Sequence, residues 1–510
     1  MSKHSRFSKI TMAIALFAIT VFTNYEVPAQ DKLADSRFAE RLDALATKLM
    51  KWEFAPGAAI VVVRGDETIF NRGYGMADDE SNRPVTPDTV FYIASSTKSF
   101  TGLAAAVCNH RGELDLDETM ATYLADAKYH AQVDPAKITM RSLLTHTHGI
   151  DNNGPVTFRS AYSGQHTPDK LKALLRFHGP ASHGKEFRYS NIGYNVAGLA
   201  LQNKLGLSWK DLLQREIFDP LGMKSTTGYV SKISRDRLAM PYSLEPDGFK
   251  KGHYGKSDDN MHAAGGLVTT TTDLANWLRA NLNHGLIDGE QVIPAEAVKL
   301  THQPATDQSG NFMSFVRSGY GLGWNTGSYD DQAFIHHFGG FSGFHSHISF
   351  MPEEKIGVAV LVNTSAGAEF ADVVARFAYD VLRGKEEVAE RFSDAELAKI
   401  NNRLQQIRKR IKADRDRRAS RSQELARGRD AYCGTYENEQ LGRVNFFVKD
   451  DQFQSTMGPL WSQVEVYNGA KDQLRVELTG SGQVASFKFG DAAKAESINV
   501  GGLIFQRVGE

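Results

Sequence analysis

The sequence predicts a mixed α/β (α+β) body, an antiparallel sheet flanked by helices with a helical subdomain, followed by a small C-terminal all-β domain. Three observations predict it. Strand-like and helix-like patterns alternate from about residue 57 to 385, a basic amphipathic stretch follows, and beyond Gly428 only alternating patterns with Gly-rich turns remain. The 510 residues allow two or three domains, and 41% hydrophobic with 23% charged residues excludes collagen-like, disulfide-framework and mostly disordered classes.

At the start, Lys3, Arg6 and Lys9 precede the apolar run Ile10 to Phe22 and a polar stretch ending Val27-Pro28-Ala29. That order is the order of a secretory signal, residues 1–29, cleaved after Ala29, so a secreted or periplasmic protein is expected. The run is shorter than the roughly 20 residues that span a bilayer; an uncleaved anchor is the alternative, and no stable membrane span is expected in the mature chain. Gly57 to Val63, the turn Arg64-Gly65-Asp66 and Thr68 to Phe70 read as a hairpin. Val90 to Ile93 is extended, and Ser95 opens a segment whose Phe100, Leu103, Ala104 and Val107 have helical spacing. His345 to Phe350 and Ile356 to Val362 read as paired strands around Pro352-Glu353-Glu354.

Leu397, Ile400, Leu404, Ile407 and Ile411 recur at steps of three and four among many Arg and Lys, an amphipathic basic helix. The bland reading is a connector whose apolar stripe rests on the body. Leu474, Val476 and Leu478, then Phe487 and Phe489, alternate with polar residues. The expected domains are therefore a mixed α/β body over 30–390, a helical linker over 391–427 and a small all-β domain over 428–510.

With 59 Lys plus Arg against 60 Asp plus Glu, the formal charge is -1, which offers no global field for nucleic acid or anionic lipid. Two cysteines, Cys108 and Cys433, cannot make a tetrahedral structural zinc site and read as small apolar side chains. No Ser has Gly at both second neighbours, and H-E-x-x-H, a P-loop and a strand-linked G-x-G-x-x-G are absent.

What remains is Ser95-Ser96-Thr97-Lys98. On a helix a separation of three puts both side chains on one face, about 5–6 Å between Cβ atoms, so the amine reaches the hydroxyl. About two such pairs arise by chance in a chain this long, and Ser182-His183-Gly184-Lys185 is another. Ser182 lies in a Gly- and His-containing loop. Ser95 lies where an extended segment meets a helix, whose first N–H groups can stabilise an oxyanion. Taken alone, Ser95 could equally be a helix N-cap.

Three downstream signals add to it. Tyr189-Ser190-Asn191 forms Y-x-N, His337-Phe338-Gly339-Gly340 forms H-x-G followed by glycine, and the phrases Pro56-Gly57, Ser142 to Gly149 (S-L-L-T-H-T-H-G) and Ala264-Gly265-Gly266-Leu267 stand between them. Over residues 40 to 385 the chain thereby resembles the serine β-lactamase and penicillin-binding-protein-like hydrolases, especially the class C-related branch that includes esterases and D-aminopeptidases. The resemblance implies the β-lactamase/transpeptidase-like fold, and the β-rich segment from 428 looks like the small barrel-like domains appended to some members of the family. It also implies an acyl-enzyme on Ser95, with Lys98 and Tyr189 handling its proton, an oxyanion hole from the N–H groups of Ser95 and Gly340, and substrate contacts from Asn191, His337 and Gly339. Lys and Tyr have reference pKa values near 10, so either must be lowered to act as the base, and both remain candidates. Y-x-N recurs at Tyr436-Glu437-Asn438, and the glycine pair could serve a bulge.

Where β-lactamases carry K-T-G, this chain has His337, mostly neutral at pH 7. A weaker hold on a substrate carboxylate points to an exported esterase or D-amino-acid peptidase acting on a small ester, amide or D-peptide. The alternatives are a class C-type β-lactamase and a penicillin-binding sensor that is acylated without turnover. A metal-dependent hydrolase would draw on His146, His148 and Asp151, or on His336, His337, His345 and His347. However, Ile150 stands where H-x-H-x-D-H requires Asp, so neither metal nor cofactor is expected.

Overall fold

The computed structural model describes residues 29–152 and 154–509. The expected export signal lies outside the described residues except for Ala29, which begins helix α1 (Ala29–Lys51). Among the described residues no helix is long and apolar enough to cross a membrane.

The body is built on nine antiparallel strands. They are β1 (Gly57–Arg64), β2 (Glu67–Asp78), β3 (Arg83–Pro84), β4 (Thr306–Phe312), β5 (Phe315–Tyr320), β6 (Asn325–Tyr329), β7 (Gln332–Phe341), β8 (Phe344–Met351) and β9 (Ile356–Val362), in the order β4-β5-β6-β7-β8-β9-β1-β2-β3. The pairing of the first strand with the last, Ala58 opposite Val362 through Arg64 opposite Ile356, closes the chain's two ends into one sheet. β1 is an unbroken apolar run because both of its faces are covered. Ala59, Val61 and Val63 enter one core, while Ala58, Ile60 and Val62 enter another. The second core takes Phe38, Leu42, Leu45 and Leu49 of α1 and Phe370, Val373, Val374 and Phe377 of α5 (Ala368–Leu382). The first takes α2 (Thr97–His110), α3 (Asn191–Leu205) and α4 (Thr271–Leu282).

α2 is buried from Thr97 to Cys108, which explains why small residues dominate its surface: Gly102 lies against the Leu322 carbonyl, where a Cβ would stand 2.2 Å from the oxygen. The basic stretch is helix α6 (Glu386–Ala419), which starts before the linker expected from the sequence. Its Leu397, Ile400 and Leu404 join the second core, while Ile407 is exposed. Its charges pair with the body and beyond, as in Arg408 with Glu53 at 2.9 Å and Arg418 with Glu465 at 2.7 Å.

From Gly434 nine antiparallel strands follow. The first, Gly434–Asn438, pairs with both the second, Gly442–Lys449, and the last, Leu503–Gly509, so the meander curls into a near-barrel around Tyr436, Phe446, Phe453 and Phe487. Tyr436, the second Y-x-N, is therefore a core residue, its hydroxyl donating to the Tyr432 carbonyl. The near-barrel docks on the body through Arg159, whose guanidinium donates to the carbonyls of Gln440 at 2.5 Å and Glu439 at 2.9 Å.

Candidate active site

Ser95 sits at a sharp bend. Phe91–Tyr92 pairs with Val268–Thr269, Ala94 takes a left-handed φ of 45°, and a single turn, Ala94–Ser96, leads into α2. A left-handed alanine is costly unless its surroundings enforce it. Here they do: the Ile93 N–H donates to Leu267 at 3.0 Å, the Leu267 N–H to Thr97 Oγ1 at 3.1 Å, and Ser346 Oγ to the Ile93 carbonyl at 2.7 Å. The A-G-G-L phrase thus braces the nucleophile's turn from one side and β8 from the other.

One turn on, Lys98 is completely buried, and its Nζ lies 3.2 Å from Ser95 Oγ, 2.8 Å from Asn191 Oδ1 and 2.7 Å from the Ala264 carbonyl. Burial holds the amine well below the ordinary lysine value. A neutral amine has two N–H groups and one lone pair. Asn191 and Ala264 accept the two protons, which leaves the lone pair for the hydroxyl of Ser95. The rings of Tyr189 and Tyr194, with centroids 4.7 and 5.5 Å from Nζ, close the remaining sides.

Asn191 is the first residue of α3. The cap comes from Asn152, whose Oδ1 accepts from the N–H of Asn191 at 2.8 Å and of Ile192 at 3.2 Å and from Ser190 Oγ at 3.1 Å. Tyr189 is 40% exposed as a residue. Its phenol end nevertheless faces Ser95 and Lys98, and loss of water there pushes the phenol above its ordinary value, against a smaller opposing pull from the Ser95 hydroxyl. Ser95, Lys98, Tyr189 and Asn191 are therefore brought together in one cluster.

His337 stands on β7 with its ring centroid 6.0 Å from that of Tyr189. It is 2% exposed, and both ring nitrogens are engaged: Nδ1 donates to the Phe338 carbonyl at 2.9 Å and Nε2 accepts from the Tyr320 hydroxyl at 3.2 Å. Burial, and then Lys98, hold it well below the usual imidazole value. The ring is a neutral wall with no charge for a substrate. Gly339 permits close approach: a Cβ there would stand 2.0 Å from the Ile93 carbonyl oxygen and 2.5 Å from Ser346 Oγ. Gly340 is exposed, and nothing lies within 4 Å of its Cβ position. β6 pairs with β7 only as far as His336, so the edge from His337 to Phe341 is left open beside the Ser95 turn.

β7 runs on to Phe341, whose ring is covered by the Lys256 amine at 3.8 Å and the Tyr162 ring at 5.6 Å. Beyond it a cavity of about 830 Å3 opens between body and near-barrel, lined in part by Tyr254, Trp461, Arg475 and Thr479. Ser95, Lys98 and Tyr189 do not line it.

The other candidates lie elsewhere. Ser182 is an exposed loop residue, and Lys185 donates to the Lys137 carbonyl at 2.9 Å. Among the described residues, none of the histidines weighed as metal ligands falls in a group of three donors. The one group that does, Cys108, Glu113 and Glu216, is already spent: Glu216 pairs with Arg111 and Arg215, each at 2.5 Å, and burial pushes the Cys108 thiol up to about 12. Asn152, Ala264 and Tyr194 are site residues the sequence reading missed. Asn152 and Ala264 act through contacts 39 and 166 residues away along the chain; the A-G-G-L phrase marks Ala264 without revealing this role, and no local pattern marks Asn152.

The family model for Beta-lactamase matches residues 42–383, and the chain belongs to that family. Protein flp of Staphylococcus aureus (strain MW2) is 26% identical over 331 residues, 64% of this chain and 63% of its own length. The chain thus spans about 63% of the length of the curated relatives it first matches. Among solved structures, the octameric penicillin-binding protein homologue from Pyrococcus abyssi superposes with a TM-score of 0.58 at 22% identity, covering 91% of this chain and 99% of that one. The D-amino acid amidase from Ochrobactrum anthropi SV3 superposes with a TM-score of 0.56 at 22% identity, covering 70% and 99%. These likenesses show the β-lactamase/transpeptidase-like fold, and the first extends across the near-barrel.

Proposed function

We propose that the chain hydrolyses a small ester or amide through an acyl-enzyme on Ser95, as an exported esterase or D-amino-acid peptidase. The observation that carries this reading is the Lys98 amine, 3.2 Å from Ser95 Oγ with its two other bonds fixed on Asn191 and Ala264. Ser95 Oγ attacks the acyl carbonyl while its proton passes to Nζ. The carbonyl oxygen becomes an oxyanion facing the N–H groups of Ser95 and Gly340, about 2.7–4 kcal/mol per donor in comparable sites. Collapse expels the alcohol or amine, which takes a proton from the Lys98–Tyr189 pair. Water then attacks the acyl carbon of the Ser95 ester and gives a proton to the same pair; collapse breaks the bond from Oγ to the acyl carbon, Oγ takes that proton back, and the carboxylic acid leaves.

The opposite directions of the two pKa shifts support Lys98 as the base. Burial holds the Lys98 amine below the ordinary lysine value and the Tyr189 phenol above its own, so the amine is the readier proton acceptor and the phenol stays protonated as a relay. The neutral, fully bonded His337 supports substrates without a carboxylate to anchor. Export rests on the N-terminal pattern Lys3 to Ala29.

The test is a parallel panel of a p-nitrophenyl ester, a D-alanyl anilide and a cephalosporin. A kcat/KM at least about 100-fold higher for the ester or the D-amide than for the cephalosporin is expected, the size of one misplaced charge contact. A cephalosporin turned over as well as either would reassign the chain as a class C-type β-lactamase. A stoichiometric burst without turnover would make it a sensor.

A further inference from the structure

The S-L-L-T-H-T-H-G phrase has no part in the chemistry above, yet its first histidine makes three contacts to the Tyr189 segment. His146 is 1% exposed and takes a left-handed φ of 61°. Its backbone carbonyl accepts from the Arg188 N–H at 3.1 Å, and its Nδ1 accepts from the Ser190 N–H at 3.1 Å. The residues on either side of Tyr189 are thus tied to one residue, and the ring of that residue lies against Tyr189 itself, centroids 4.6 Å apart. Behind it, Tyr320 at 4.7 Å and Tyr194 at 5.3 Å hold the imidazole in place. Because Nδ1 accepts, the proton sits on Nε2, which is buried with no hydrogen-bond partner. A fold that leaves a buried donor unpaired and a histidine left-handed gives up stability at this point, a pattern that marks functional sites.

We propose that His146 is a positioning residue: it fixes the Tyr189 phenol against Ser95 and Lys98, and acts on the reaction only through Tyr189. The inference rests on the reading of Ser95 and Tyr189 given above. An imidazole suits the task because Nδ1 and the ring face serve the Ser190 N–H and the Tyr189 ring at once, whereas a protonated imidazole would lose the Ser190 bond.

The experiment is a double-mutant cycle on the full chain with a p-nitrophenyl ester, reading kcat, KM and thermal midpoint. His146→Gly relieves the left-handed backbone but removes acceptor and ring. It should lower kcat about 100-fold with KM within threefold, and cost under about twofold more in a Tyr189→Phe background. His146→Asn, tolerated at positive φ and with Oδ1 near the place of Nδ1, should recover kcat to within about tenfold of wild type. His146→Gln, whose amide reaches the Nε2 place instead, should not. Equal losses with and without the Tyr189 hydroxyl, or equal kcat for the Asn and Gln variants, would overturn the proposal; the Asn and Gln pair decides if the Gly variant does not fold. Failure of the underlying reading shows separately, as hydrolysis that survives Ser95→Ala.

Discussion

Replacing Lys98 with Met separates the amine's chemistry from its packing. The side chains have similar length, so the buried volume is kept, while the three contacts to Ser95 Oγ, Asn191 Oδ1 and Ala264 O are lost. Two buried acceptors left unpaired cost about 1–3 kcal/mol each. Against this, the variant no longer buries an ionisable amine, a penalty of about several kcal/mol. The two effects oppose, so the urea midpoint should move little, by about 2 kcal/mol or less in stability. Catalysis has no such offset: loss of a general base costs about 10²–10⁴ in rate, or about 2.7–5.5 kcal/mol of barrier. Single-turnover acylation by a p-nitrophenyl ester measures it. In the wild type the acylation rate should rise with pH as Lys98 gives up its proton and level off above its pKa, which burial places below that of an exposed lysine. The variant should lack that rise. A Lys98→Met enzyme that keeps a tenth of the acylation rate, or the same pH rise, would refute the assignment of the base.

Two further expectations concern the frame of the site. Gly339→Ala places a methyl 2.0 Å from the Ile93 oxygen and should destabilise by about 1–3 kcal/mol, whereas Gly340→Ala meets nothing within 4 Å and should unfold like the wild type in urea; the reverse order would mean that β7 does not press on the Ser95 turn. Lys256 is buried with its amine on the Ala161 carbonyl at 2.8 Å and over two aromatic rings, and burial holds it well below 10.5. The unfolded chain therefore binds more protons between the two pKa values, so stability rises with pH towards the unfolded value. Lys256→Met should be more stable at pH 7, by about 1 kcal/mol or more, with a flatter rise between pH 7 and 10; a less stable variant with the rise unchanged would contradict the burial argument.

Much of the fold was legible because a single physical rule governed it. The apolar run of β1 needed only a strand with two covered faces, and the spacing of Ser95 and Lys98 needed only one turn of helix. The near-barrel showed in period-two alternation from Leu474 to Phe489. The rest depended on distance along the chain. Asn152 caps α3 from another loop and carries no local signature, and the Ala264 carbonyl accepts a hydrogen bond from Lys98 across 166 residues, a role that the A-G-G-L phrase does not reveal. The charge states were equally hidden. His337 could be read as mostly neutral, but its bonds to Tyr320 and Phe338 and its burial follow from the sheet that surrounds it. His146 attracted a metal-ligand reading because its type and spacing suit one, whereas the structure turns its Nδ1 onto the Ser190 N–H.

The residue that carries the acyl group decides the mechanism. After rapid acid quench of a reaction with a p-nitrophenyl ester, peptide mass spectrometry should find the acyl mass on the peptide bearing Ser95. In the Ser95→Ala variant that adduct should be missing and turnover should fall below a few per cent of wild type. An adduct on another residue, or hydrolysis undiminished by the substitution, would contradict it.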